Sequence, residues 1–380
     1  MRLKLVAYSQ FEGEKGEWKV NELTLGPINL LVGKNASGKT RMLNIIGNLG
    51  NLLAGDLKPA FRSGSYNVTF EHGGKVLKYI LVYRDSLVLK EEFTLDGKKV
   101  MKRGHGGRGK ILFERTKRWA EFQTPQNELA AVARRDSVQH SYFEPLHEWG
   151  RSIRHFYFGS HMGRESLAVI AKDQKIEFNL KDTTKVIQIF RRGTKECGEK
   201  FKKAILEDMA AIDYPLKDIG VAPVTSIVLT SPVAGELVCL FVKEKDLKGV
   251  TEQTDMSQGM FRTLSIIIQL NYSQMTSRPS CILIDDVGEG LDFDRSCALI
   301  ELLMRKVQGS SVQLIMATND RFVMNKVPLE TWAVIRRKAG TVEVFNYANS
   351  KQMFDEFKFT GLNNFDFFAT NFMNEAKMNA

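Results

Sequence analysis

An α/β fold built around a phosphate-binding loop is predicted by three observations. The run Ile28–Val32 is apolar apart from Asn29 and ends at Gly33, as a buried strand does when it turns into a loop. That glycine opens Gly33-Lys34-Asn35-Ala36-Ser37-Gly38-Lys39-Thr40, and the segment from Arg41 carries apolar residues at helical spacing. From Phe261 onward helical and strand patterns alternate. Cys281–Ile284 and Val312–Met316 have the largely apolar character of parallel strands covered on both faces.

The elements follow in order. Met1 to about Asn51 reads as strand, turn, strand, glycine loop and helix. Val68–Lys75, Leu77–Tyr83 and Leu87–Val100 then alternate polar and apolar residues around Gly73-Gly74 and Asp96-Gly97, the pattern of antiparallel hairpins. Lys102–Lys110 is basic and glycine-rich. It reads first as a solvated loop and alternatively as a contact for a phosphate backbone. The stretch 125–215 reads as mainly helical, with amphipathic spacing at Glu128–Arg135 and Glu199–Ala210 and no sustained heptads. Strand patterns return at Ser226–Leu229 and Glu236–Lys243. Phe354–Phe368 is dense in phenylalanine, read as core with a docking surface as the alternative, and Asn371–Ala380 reads as a frayed end. The expected divisions are 1–60 and 221–350 for the two parts of the α/β core, 61–120 for the antiparallel region, 121–220 for a helical lobe, and 351–380 for the terminal segment.

Composition narrows the function classes. Hydrophobic residues make up 43% and charged residues 26% of the 380, which is globular rather than disordered. The net charge of +10 favours an anionic partner such as nucleotide or nucleic acid. No apolar run reaches the roughly 18 residues of a membrane span, and Met1–Val6 lacks a signal-peptide pattern, so a cytoplasmic protein is expected. Cys197, Cys239, Cys281 and Cys297 have no metal-ligand spacing and read as reduced thiols. His140, His147, His155 and His161 likewise fit no helical zinc pattern.

Three motifs carry chemistry. Gly33–Thr40 satisfies G-x-x-x-x-G-K-[ST], in which glycines let the backbone wrap phosphates and the following helix N-terminus supplies positive potential. Lys39 would reach the β- and γ-phosphates, and Thr40 would offer its hydroxyl to Mg²⁺. Ile282–Asp286 is an apolar strand ending in two acids, the edge where open α/β sheets bind ligands. Asp285 suits Mg²⁺, and Asp286 suits a water-orienting base. Ser257-Gln258-Gly259 opens an apolar helix, as a cap or as a phosphate-facing turn.

In this order the motifs resemble ABC-type ATPase heads of the group containing RecF, SMC and OLD proteins. The resemblance implies a head with an antiparallel β-subdomain and an inserted helical lobe. It implies ATP bound by Gly33 through Arg41, Mg²⁺ on Thr40 and Asp285, a signature at Ser257-Gln258-Gly259, and a D-loop ending at Asp292. Two such heads pair head to tail, the loop of one and the signature of the other enclosing ATP. Lys39, Asp286 and Asn319 are the implied catalytic positions. Two depart from the family pattern: Asp286 stands for a glutamate and Asn319 for a histidine, which points to slow or partner-dependent hydrolysis. The family's Q-loop glutamine has no evident match, with Gln123 and Gln126 as candidates. SMC-type coiled-coil arms and an OLD-type nuclease domain are not expected. Free-standing bacterial ATPases that look like this one often sit beside an effector nuclease or toxin in anti-phage defence, so the resemblance implies control of such a partner. A RecF-like clamp on duplex DNA and a non-hydrolysing scaffold are the alternatives.

Overall fold

The computed structural model describes residues 1–59, 63–170, 179–226, 235–276, 280–370 and 372. They form two compact units. One comprises Met1–Ile153, Gln313–Asn319 and Val327–Ala380; the other comprises Arg154–Val312 and Asp320–Lys326.

The first unit is organised by a long mixed sheet. Its strands run in the order Val312–Ala317, Ile28–Val32, Trp332–Lys338, Thr341–Asn346, Trp18–Thr24, Arg2–Gln10, Gly64–His72, Lys75–Arg84, Leu87–Leu95, Lys98–Arg103, Arg108–Leu112 and Trp119–Gln123. Ile28–Val32 pairs in parallel with both Val312–Ala317 and Trp332–Lys338. Every residue of Val312–Ala317 is buried, as the apolar pattern of a strand covered on both faces requires. From Gly64 onward the strands are antiparallel and alternate inward and outward along one face, as the hairpin signals predict. The expected α/β class holds.

Helix Lys39–Ala54 packs Met42, Leu43, Ile46 and Leu49 inward and stops at Gly55, whose φ of 79° is the left-handed C-cap. At Gly50 a Cβ would sit 2.3 Å from Ile153 Cδ1, and at Gly150 one would sit 2.6 Å from the Gly50 carbonyl. These glycines let Lys39–Ala54 and Glu144–Ser152 pack backbone to backbone.

Two expectations need correction here. The basic stretch 102–110 is a hairpin rather than a loop: Lys98–Arg103 pairs with Arg108–Leu112 across a turn at Gly106-Gly107. Arg103 does not reach solvent. Its Nη1 meets Glu91 Oε2 at 3.3 Å, with both side chains fully buried. Glu91 also accepts from Tyr79 Oη at 2.8 Å and from the amides of Ala130 and Ala131 at 2.7 and 2.8 Å. The helix expected at Glu128–Arg135 is only the turn Ala130–Ala133, whose opening amides are held by that carboxylate. The second correction concerns 125–215, which is helical only in part: strands Ile153–Tyr157 and Ala168–Ile170 lie within it.

The second unit places Ile153–Tyr157 beside Ser280–Asp285 and builds a separate antiparallel sheet from Ala168–Ile170, Glu236–Glu244 and Leu216–Pro223. Helices Val186–Cys197 and Glu199–Ala210 flank the long helix Gln258–Met275, which is buried through nearly all its length. Phe293–Val307 follows the acid-bearing strand. Residues 227–229 of the expected strand at Ser226–Leu229, and all of Asn371–Ala380 except Phe372, lie outside the described residues.

Phe354, Phe357 and Phe367 are buried together, so the phenylalanine-rich segment is chiefly core, although Phe359 is 91% exposed. The four cysteines are free, and among the described residues no cluster of acids, histidines and cysteines could hold a metal. No described helix is long and apolar enough to cross a membrane.

Candidate nucleotide site

The loop Gly33–Thr40 has the shape its sequence implies. A Cβ on Gly33 would lie 2.5 Å from Ser37 Oγ and 2.7 Å from the Ile335 carbonyl, so no larger residue fits. Ala36 and Gly38 take left-handed φ values of 61° and 105°, which curl the chain into a concave cradle before helix Lys39–Ala54 begins. Ser37 Oγ is buried and makes no hydrogen bond. A cradle with no room for a Cβ and an orphaned buried hydroxyl together fit a phosphate group.

Lys39 is 6% exposed and folds back across this cradle. Its Nζ donates to Gly33 O at 2.8 Å, to Lys34 O at 3.4 Å and to Asn319 Oδ1 at 2.7 Å. Asn319 Nδ2 donates in turn to Asn35 Oδ1 at 3.0 Å. Parallel pairing of Ala317 with Leu31 places Asn319 there, just past the end of its strand. Lys39 and Asn319 thus share one hydrogen-bonded group. Thr40 is exposed at the start of the helix. Arg41 stacks over Trp18, its Cζ 4.4 Å from a ring centroid, and donates to Gln10 Oε1 at 2.8 Å. Trp18 and Gln10 were not anticipated from sequence.

In the second unit Asp285 ends its strand, 4% exposed. Its carbonyl accepts the Phe158 amide at 2.9 Å. Asp286 is half-buried with φ 54°, a left-handed conformation that Asp tolerates better than most residues. It opens a turn closed by Glu289 N donating to Asp286 O at 3.1 Å. Asp292 caps helix Phe293–Val307, accepting from Arg295 N and Arg295 Nη1, each at 2.9 Å. That backbone bond, followed by the neighbouring guanidinium charge, holds its carboxyl below the usual range.

Ser257 caps helix Gln258–Met275, its Oγ accepting from Met260 N at 3.2 Å. Gly259 is required by contact: a Cβ there would lie 2.7 Å from Gly290 O. Gln258 Nε2 lies 3.4 Å from His161 Nδ1, and His161 is within 3.7 Å of Glu165.

Gln123 lies on the outermost antiparallel strand and donates to Gly106 O at 3.3 Å; the Gln126 carbonyl accepts from Val88 N. The segment 158–166, whose Phe158 amide meets the acid-bearing strand, contains no glutamine. Gln253 holds this segment, its Nε2 donating to Gly163 O, Arg164 O and Ser166 O.

Three of the four histidines are inward-facing. Burial lowers the pKa of His140 and His147 and pushes His155 down to about 4. His161 is exposed.

No family model matches the sequence, and no curated protein matches it. Solved structures do. The crystal structure of an SMC head bound to the C-terminal winged-helix domain of ScpA matches with a TM-score of 0.54 at 12% identity, over 91% of this chain and 98% of that one. The SMC head domain from Thermotoga maritima matches with TM-score 0.46 and 14% identity over 91% and 99% of the two chains. An SMC head with an extended coiled coil, bound to the C-terminal domain of ScpA and derived from Pyrococcus furiosus, gives 0.47 and 12% over 94% and 100%. The chain has the fold of an SMC head.

Proposed function

We propose that the protein is an ATP-binding and ATP-hydrolysing switch whose copies pair head to tail around Mg·ATP. The observation that carries this is the Lys39 group: a buried ammonium at the mouth of a phosphate-shaped loop, bonded to the asparagine at the family's switch position. Lys39, with the backbone of Gly33 through Arg41, would bind the phosphates. Thr40 and Asp285 would hold Mg²⁺, whose chemistry is to neutralise charge developing on the phosphate oxygens. Asp286 would orient the attacking water, and Asn319 would sense the γ-phosphate by hydrogen bonding. Ser257, Gln258 and Gly259 of one copy would face the nucleotide of another, beside Asp292 of the D-loop.

The output would be a shape change felt by a protein partner. SMC heads in the solved structures carry ScpA; for this chain the proposed partner is an effector nuclease or toxin acting in anti-phage defence. A DNA-clamping reading has one observation in its favour. A groove of about 960 Å³ on the antiparallel edge is lined by Lys90, Lys102, Arg108, Lys110 and Phe122. Lys90 and Lys110 are partly neutralised there by Glu92 and Glu121.

Light scattering with and without Mg·ATP, for wild type and Lys39→Ala, tests the switch. ATP-dependent dimerisation in wild type alone supports it; an unchanged mass in both refutes it. DNA binding whose affinity falls steeply with salt would favour the clamp.

A further inference from the structure

Arg262 lies on the buried helix Gln258–Met275 and is 5% exposed. A guanidinium held so far from water is tolerated only where its N–H groups are satisfied. Here three different segments satisfy it. Nε donates to Ser160 O at 2.8 Å, Nη1 to Glu289 O at 3.1 Å, and Nη2 to Gln258 Oε1 at 3.1 Å. Cζ lies 5.9 Å from the ring centroid of Phe158.

Each acceptor adjoins a candidate functional group. Ser160 is two residues beyond Phe158, whose amide is bonded to the Asp285 carbonyl. Glu289 lies in the turn between Asp286 and Asp292, and Gln258 is in the signature turn itself. Three glycines bring these segments together. A Cβ on Gly259 would meet Gly290 O at 2.7 Å, one on Gly290 would meet Arg262 Nη1 at 2.8 Å, and one on Gly159 would meet Glu289 Oε2 at 2.7 Å.

We propose that Arg262 is a positioning residue that locks the signature turn 257–259 to the acid-bearing turn 286–291 and to the 158–166 segment, so that the signature can engage another copy's nucleotide only while this clamp is closed. The inference rests on the head-to-tail reading above. Its physical basis is the fixed fork of the guanidinium, whose bonds point to three acceptors at once. A small shift of the 286–291 turn breaks the Nη1 bond and with it the tie between that turn and the helix that opens at Gln258. Rearrangement around Asp285 and Asp286 is thereby transmitted to Ser257 within one chain.

The test uses Arg262→Ala, Arg262→Lys and Gly290→Ala. Hydrogen exchange is followed first on the full chain without nucleotide. All three variants are expected to speed exchange together at 258–262 and 289–291, by about tenfold. Lysine should not restore protection, because one ammonium cannot span three separated acceptors. Light scattering should then show Mg·ATP-dependent dimerisation weakened by about tenfold or more, while a fluorescent ATP analogue binds monomer with wild-type affinity.

Unchanged exchange, faster exchange in only one segment, full rescue by lysine, or loss of analogue binding in step with dimerisation each overturns the proposal. If Arg262→Ala fails to fold, Gly290→Ala decides, since it keeps the guanidinium and displaces it. If wild type stays monomeric with Mg·ATP, the head-to-tail reading fails and the exchange result alone decides whether the clamp exists.

Discussion

Replacing Asn319 by aspartate puts a carboxylate where Lys39 Nζ now donates at 2.7 Å. The lysine would then be held by an ion pair instead of a neutral acceptor, and the new charge would face the incoming phosphates. At that separation the Coulomb energy is about 6 kcal/mol for an effective dielectric constant of about 20, and about 1.5 kcal/mol in bulk water. Asn319 is exposed, so the screened end of that range applies and the net cost to phosphate binding is about 1–2 kcal/mol. That corresponds to ATP affinity about 5–30-fold weaker.

Titration of a fluorescent ATP analogue at two salt concentrations measures it, and the effect should shrink at the higher salt. Asn319→Ala is the control. It removes an acceptor without adding charge and should change affinity by about threefold or less. The reasoning is refuted if Asn319→Asp binds as tightly as wild type, or if the alanine variant is equally weak.

Other outcomes follow from the same geometry. Asp286→Asn should reduce turnover by about a hundredfold or more while analogue binding persists, read by phosphate release. Glu91→Gln, which leaves Arg103 buried without its counter-charge, should cost about 3–5 kcal/mol and lower the melting temperature by about 10 °C. His155 is half-buried, stacked 4.2 Å from Tyr157, and its pKa is pushed down to about 4 by desolvation. The unfolded chain therefore binds the extra proton between about pH 4 and 6.5, so this contribution is full above 6.5 and lost as the pH falls towards 4. Its size is about 3 kcal/mol, and the stability difference between wild type and His155→Gln should vary with pH across that window.

What the sequence makes legible is what local pattern encodes. The apolar strand into Gly33, the hairpins from Gly64 and the long helix after Ser257 each carry their burial in a short window. The strand Ile153–Tyr157 does not, because it continues directly from helix Glu144–Ser152 with no intervening turn, and the glycine near the join, Gly150, lies inside the helix. Hiding that strand also hid the 158–166 segment that follows it. The Asn319–Asn35 contact joins residues 284 apart in sequence, and only the parallel register creates it. Arg103 was unreadable for another reason. Its neighbours Lys102 and Lys110 are solvent-facing, and nothing in the stretch distinguishes the inward charge until the register sets Glu91 opposite it on the preceding strand.

Ser257, proposed above to face another copy's nucleotide, poses a last question of chemistry: whether a hydroxyl already used as a helix cap can also serve an anion. Ser257 Oγ accepts from Met260 N at 3.2 Å, and a hydroxyl keeps one proton to donate while it accepts. Capping and anion binding therefore use opposite ends of the same group. Ser257 and Tyr214 line the same cavity, and the serine hydroxyl lowers a Tyr214 pKa that burial raises more strongly. Tyr214 can accept the serine's proton until a phosphate oxygen competes for it, and a phosphate carries the charge that makes it the stronger acceptor. Tyr214→Phe removes that competitor and keeps the ring on which Arg295 stacks at 4.3 Å. Mg·ATP-dependent pairing should be unchanged or about two- to fivefold tighter in this variant, read by light scattering, whereas Ser257→Ala should abolish it. If Tyr214→Phe abolishes pairing as Ser257→Ala does, the tyrosine hydroxyl is itself required and Ser257 is not the anion donor.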